Sequence, residues 1–127
     1  MSQNTRVNIY GDSIMRGTVI DNEHRYHATV SGILGRLADT FGRVVRVRAL
    51  FGGTIGRGHT VLGKDLARGL DCQYAVMEYG GNDCSFDWEA VAKNPDAEHL
   101  PFTPLEDFTQ NYTDMINRLQ NAGIEPV

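Results

Sequence analysis

Cysteine is scarce in this sequence, and the two present, Cys72 and Cys84, are not spaced as a metal pair. They are expected to be free thiols, and neither a metal site nor a disulfide framework is predicted. Basic clusters are also missing. Twelve Lys and Arg against sixteen Asp and Glu leave a net charge of -4, with no stretch that concentrates positive charge. That excludes the electrostatic footprint of a nucleic-acid binder. No segment approaches the roughly 18 apolar residues of a membrane span, and no apolar run of signal-peptide length follows the polar Met1 to Thr5. The expected location is therefore cytoplasmic. Internal repeats and low-complexity tracts are absent as well.

What is present suits one small domain over residues 1–127. Apolar residues make up 41% of the 127 and charged residues 22%, enough to build a core. Arg6 to Tyr10 is a β-rich run that stops at Gly11. After a polar stretch from Thr18 to Arg25, Val30, Ile33, Leu34, Leu37, Ala38 and Phe41 recur at helical spacing, and Gly42 suits a C-terminal cap. Val44 to Leu50 reads as a second strand leading into a Gly-rich loop, Phe51 to Gly58. A weaker helix is expected over Thr60 to Arg68, and a third strand over Tyr74 to Tyr79. Residues 84–103 read as a long loop with local helix.

The final helix has the clearest signal: Thr103 as cap, Pro104 at the first helical position, Glu106 completing a capping box, then one apolar face from Leu105 to Leu119 and a stop at Gly123. Ile124 to Val127 open a fourth strand. Strand and helix alternate three times, which predicts a parallel sheet with helices on both faces. Because the pattern stops as a strand begins, the domain is expected to be partial, cut before further C-terminal strands. An unpaired sheet edge would then favour self-association or pairing with a missing C-terminal segment.

In an open α/β sheet the ligand lies beyond the carboxyl ends of the strands. Each predicted strand ends there in small and polar residues: Gly11-Asp12-Ser13, Gly52-Gly53-Thr54, and Gly80-Gly81-Asn82-Asp83. Acyl transfer needs a nucleophilic oxygen held on a tight turn and donors aimed at the developing oxyanion. A serine after a strand and a glycine fits the first need. A glycine N–H and an Asn amide fit the second.

These three blocks, in this order, resemble those of the SGNH, or GDSL-like, serine esterases, lipases and acylhydrolases. Gly11-Asp12-Ser13-Ile14 is similar to the block that names the GDSL proteins, with Ile14 for Leu. Phe51-Gly52-Gly53-Thr54 and Gly80-Gly81-Asn82-Asp83 resemble the second and third blocks, and Glu78 to Trp88 with Pro95 to Pro101 looks like one bacterial branch. The resemblance implies a three-layer, flavodoxin-like parallel sheet and hydrolysis of small-molecule esters without a cofactor. It implies Ser13 as nucleophile and the N–H groups of Ser13 and Gly52 with the Asn82 amide as oxyanion hole. Gly11, Asp12, Gly53, Gly81 and Asp83 would support these. It also implies an Asp-x-x-His carrying the general base. Asp21 and His24 have this spacing in the loop after the first strand, and Asp96 and His99 have it in the long loop of residues 84–103, where His99 reads as a loop histidine. The base is therefore expected beyond residue 127 and the 127 residues alone are expected to be nearly inactive. Where the second block of the resembled proteins is preceded by an Asn, this chain has Val47.

Plainer readings stand beside these. Ser13 suits a helix cap, the glycines suit turns, Asn82 suits a left-handed turn, Asp12 and Asp83 suit loop braces, and Phe86 and Trp88 suit either a pocket or the core. A non-catalytic ligand-binding module of the same fold is the competing function. A flavodoxin-like phosphate or FMN binder is disfavoured by Asp12, where a phosphate cradle would need donors.

Overall fold

The computed structural model describes residues 5–29, 36, 38–40 and 42–127. Four parallel strands form the main sheet: β1 (Arg6–Gly11), β4 (Val44–Val47), β5 (Tyr74–Glu78) and β6 (Glu125–Pro126), in the order β4-β1-β5-β6. The sequence pattern carries over, although the second strand stops at Val47 rather than Leu50 and the third at Glu78 rather than Tyr79. The apolar runs are the strands, and β1, whose residues 8–11 are all buried, lies between two neighbours. The expected α/β architecture with a parallel sheet is present, and the expected fourth strand pairs with β5 through Tyr74↔Glu125 and Ala75↔Pro126.

Two long helices flank the sheet: α1 (Ile55–Ala67) and α3 (Leu105–Asn121), with a short α2 (Trp88–Lys93) between them. Side chains alternate along a strand, so Tyr10 of β1 and Ala75 and Met77 of β5 share a face. There they join Ile55 and Leu62 of α1, Met115 and Leu119 of α3, and Ile124 in one buried cluster. The apolar face read for the last helix is the one that packs. Of the first predicted helix, residues 36 and 38–40 are helical and Ala38 is buried, while Val30, Ile33, Leu34, Leu37 and Phe41 lie outside the described residues. Gly42 has the left-handed φ of 61° expected of a cap, and the Arg43 N–H reaches the Ala38 carbonyl at 2.8 Å.

Three expectations are corrected. The polar stretch after β1 contains a small antiparallel hairpin, β2 (Thr18–Ile20) with β3 (Tyr26–Ala28). The Asp21 carboxylate closes it by accepting the N–H groups of Glu23 and Arg25. Helix α1 starts at Ile55 rather than Thr60, because Thr54 and a carboxylate from another loop satisfy its first N–H groups despite three glycines of low helix propensity. The capping box at α3 does not form. Thr103 instead donates its hydroxyl to the buried Asp83 carboxylate at 2.6 Å, and α3 begins after Pro104 with no side-chain cap. Residues 84–103 are, as expected, mostly loop with one short helix. Among the described residues, no helix is long and apolar enough to cross a membrane.

A polar bridge ties this scaffold together. Asp65 of α1 accepts Arg48 Nε and Nη2, both at 2.8 Å, and the Tyr10 hydroxyl at 2.9 Å. Burial opposes its charge, but the bonds from Arg48 and Tyr10 outweigh this and hold the carboxyl below its ordinary value. A depressed carboxyl stabilises the fold above its unfolded pKa, and that contribution is lost as pH falls through the folded value. Asp65→Asn should therefore cost about 2 kcal/mol at neutral pH, read from the urea midpoint, and the gap to the parent should narrow below about pH 4.

Candidate active site

The strand order places β4 and β5 on opposite sides of β1, so the chain reverses direction across the sheet at the β1/β5 boundary. Such a switch point opens a crevice at the strands' carboxyl ends. All three predicted clusters lie on that rim.

Gly11 ends β1, buried, and its carbonyl accepts the Leu50 N–H at 2.9 Å from the segment after β4. Asp12 follows, 2% exposed. Its Oδ1 accepts the Ile14 N–H at 2.8 Å, the local bond by which Asp commonly closes a turn. Ser13 is half-buried at the start of this turn, and its carbonyl accepts the Thr18 N–H at 2.9 Å, joining the turn to the β2–β3 hairpin.

The second cluster needs its glycines for two reasons. Gly52 has φ 65°, a conformation that L side chains rarely adopt. Gly53 is buried against backbone, and a Cβ there would lie 3.0 Å from both the Gly11 and the Leu50 carbonyl oxygens. Any side chain at 53 would push the second loop off the first.

The third cluster supplies the cross-links. Asn82 Nδ2 donates to the Gly53 carbonyl at 2.9 Å and lies 3.4 Å from Asp12 Oδ2. A Cβ at Gly81 would be 3.6 Å from the same Asp12 oxygen. One carboxamide thus touches both of the other loops. Asp83, 2% exposed, accepts the Ile55 N–H at 3.0 and 3.1 Å and the Thr103 hydroxyl at 2.6 Å. A buried anion at a helix N-terminus is favoured by the unsatisfied N–H groups there. Asp83 therefore braces α1 and the start of α3 as well as its own loop.

The histidines engage other partners. His24 does not form the Asp-x-x-His contact its spacing suggests: its backbone N–H reaches the Asp21 carbonyl, and the Asp21 carboxylate pairs with His27 instead. His59 pairs with Asp114 at 2.6 Å between α1 and α3, and His99 bonds the Asn94 carbonyl at 2.7 Å. Both cysteines are free, Cys72 buried and Cys84 exposed. Trp88 is 64% exposed, edge-on to Phe86, with its indole N–H on the Ser85 hydroxyl, so it is not a core residue.

Sequence reasoning missed two features. The hairpin adds Tyr26, whose ring tilts against Phe51 at 5.2 Å, and with Arg16, Thr18, His27 and Ala28 these line an open cavity of about 210 Å3. Its walls come from the turn after Ser13 and the residue before Gly52. Glu78 is the other: the single acid of β5, it ends that strand beside Asp12, and an acid within an apolar strand was the available signal.

No protein-family model and no curated protein matches the chain. Solved structures do. A Desulfitobacterium hafniense protein described as lipolytic and of the G-D-S-L family superposes with a TM-score of 0.68 at 21% identity, over 97% of this chain and 57% of its own. AlinE4, an SGNH-hydrolase family esterase, gives 0.62 at 21% identity over 99% and 58%. A lipase/acylhydrolase from Enterococcus faecalis gives 0.64 at 20% identity over 96% and 55%.

The chain has the SGNH-hydrolase fold. It spans a little over half the length of these SGNH structures, and at this identity the likeness carries the fold. Within that fold Asp83 is a structural brace whose loss would orphan a helix N–H and a hydroxyl. Asp83→Ala should destabilise the protein by about 2–3 kcal/mol, measured by denaturant titration.

Proposed function

We propose that this chain is the nucleophile-bearing part of a serine hydrolase that cleaves carboxylic esters through an acyl-enzyme on Ser13. The observation that carries the reading is the Asn82 carboxamide, which spans from the Gly53 carbonyl to Asp12. It draws the serine turn, the glycine loop and the third loop onto one rim.

In this reading the Ser13 oxygen attacks the ester carbonyl carbon, and its proton passes to a base. The carbonyl oxygen becomes an oxyanion held by the N–H groups of Ser13 and Gly52 and by the Asn82 amide. One Asn82 N–H is anchored on the Gly53 carbonyl, and the second, with Nδ2 3.4 Å from Asp12 Oδ2, is shared between that carboxylate and the oxyanion. Collapse expels the alcohol, and water then releases the acid. Tyr26 and Phe51 offer an apolar wall for the larger part of the ester, and Asp12 and Asp83 act as braces. The base is a histidine oriented by an aspartate, contributed from outside these 127 residues. His27, His59 and His99 each have another hydrogen-bond partner. That same observation favours the second reading, a ligand-binding module of the same fold that lacks a base.

A serine-directed phosphonate separates the two. The full-length protein should be labelled at Ser13 and the Ser13→Ala variant should not. Binding of an ester without labelling or turnover would favour the module. Asn82→Ala should lower kcat about 10²–10³-fold with a smaller change in KM, because an oxyanion donor acts mainly in the transition state.

A further inference from the structure

Glu78 stands at the end of β5, opposite Gly11 in the parallel register with β1. Its Oε2 is buried and has no hydrogen-bond partner among the described residues. The carboxyl also faces Asp12, both its N–H and its side chain. Asp12 is itself buried and has acceptor contacts on both oxygens, the Ile14 N–H on one and the Asn82 amide on the other. With both Asp12 oxygens already accepting from N–H groups, a proton shared between the two carboxyls belongs on Glu78 Oε2, which has no such donor. Among the described residues, the other groups that feel the Glu78 charge are Tyr79, next to it in sequence, and Tyr112 of α3, neither of them a cation. Two touching carboxyls without a counter-ion do not both ionise.

We propose that Glu78 is a positioning residue that keeps its proton and donates it in a hydrogen bond to Asp12. It thereby locks the carboxylate that joins the Ser13 turn to Asn82. The bond holds whether or not the chain is a hydrolase; only its kinetic consequence rests on that reading. Burial, and then the Asp12 charge, push the Glu78 carboxyl above the ordinary carboxylate range. For a raised pKa, the stabilisation is full below the unfolded value and is lost as pH rises through the folded one. Above that point a second charge sits beside Asp12 and the tie between the loops loosens.

The test uses the full-length protein and Glu78→Gln, whose amide donates to Asp12 at every pH. The parent's infrared spectrum at neutral pH should contain a protonated-carboxyl stretch that shifts with isotopically labelled glutamate and disappears in E78Q. E78Q should gain thermal stability over the parent as pH rises above about 4.5. It should also hold its Ser13 labelling rate at alkaline pH where the parent's declines, while Glu78→Ala loses the donor and labels more slowly throughout. A parent spectrum without the labelled-glutamate band overturns the proposal, as does a stability gap that stays flat with pH. The isotope measurement needs no variant to fold. Band and pH-dependent gap together with no labelling of Ser13 would uphold the Glu78 bond and overturn the hydrolase reading.

Discussion

One buried carboxylate holds the rim of this domain together. Asp12 accepts the Ile14 N–H on one oxygen and lies against the Asn82 amide with the other. An isolated charge in such a place is costly unless it is paired or hydrogen-bonded, so each loop that supplies a donor is fixed by the same requirement. Asn82 passes the constraint on to Gly53, and Gly53 packs too closely on Gly11 for any side chain to intervene. The serine turn, the glycine loop and the third loop are therefore one mechanical unit although 70 residues separate Asp12 from Asn82.

The charge balance of this unit bears on its chemistry. Asp12, Glu78 and Asp83 crowd the strand ends, and a developing oxyanion beside three carboxylates would be disfavoured. Asp83 is offset by the N-terminus of α1, where its oxygens meet the Ile55 N–H. A neutral Glu78 would remove a second charge and leave Asp12 as the one anion close to Ser13. The rim could then hold its shape with carboxylates and still accept negative charge in a transition state, provided one of the three keeps its proton.

Much of this was legible in the sequence, for identifiable reasons. Strands β1 and β5 are largely apolar runs that stop at or shortly before glycine, and that pattern made them readable. The three blocks were readable because strand ends in a parallel sheet share a rim. Other features depended on partners far away in sequence. Helix α1 reads weakly because of Gly56, Gly58 and Gly63, and it is the distant Asp83 that satisfies its first N–H. The same carboxylate takes the Thr103 hydroxyl that local rules assign to a capping box. The β2–β3 hairpin escaped notice because three-residue strands carry too little periodicity to stand out from a polar loop. Local pattern reads elements well, whereas a long-range acceptor can redirect any single hydroxyl or N–H.

The order of the chain also separates the roles in the proposed reaction. Ser13, Gly52 and Asn82 follow β1, β4 and β5, the three adjacent strands at the switch point, and all lie within the first 83 residues. What comes later within the chain buttresses rather than reacts. Tyr112 of α3 donates its hydroxyl to the Met77 carbonyl at 2.9 Å, and β6 bonds along the free edge of β5 through the Val127 N–H to Ala75. A base carried elsewhere would have to reach the Ser13 oxygen from the open side of the rim. The backbone carrying the proposed oxyanion donors is set by contacts among β1, β4, β5 and α1, none of which requires that base. In the proposed reaction the fold would preorganise those donors, and the proton acceptor alone would remain to be supplied.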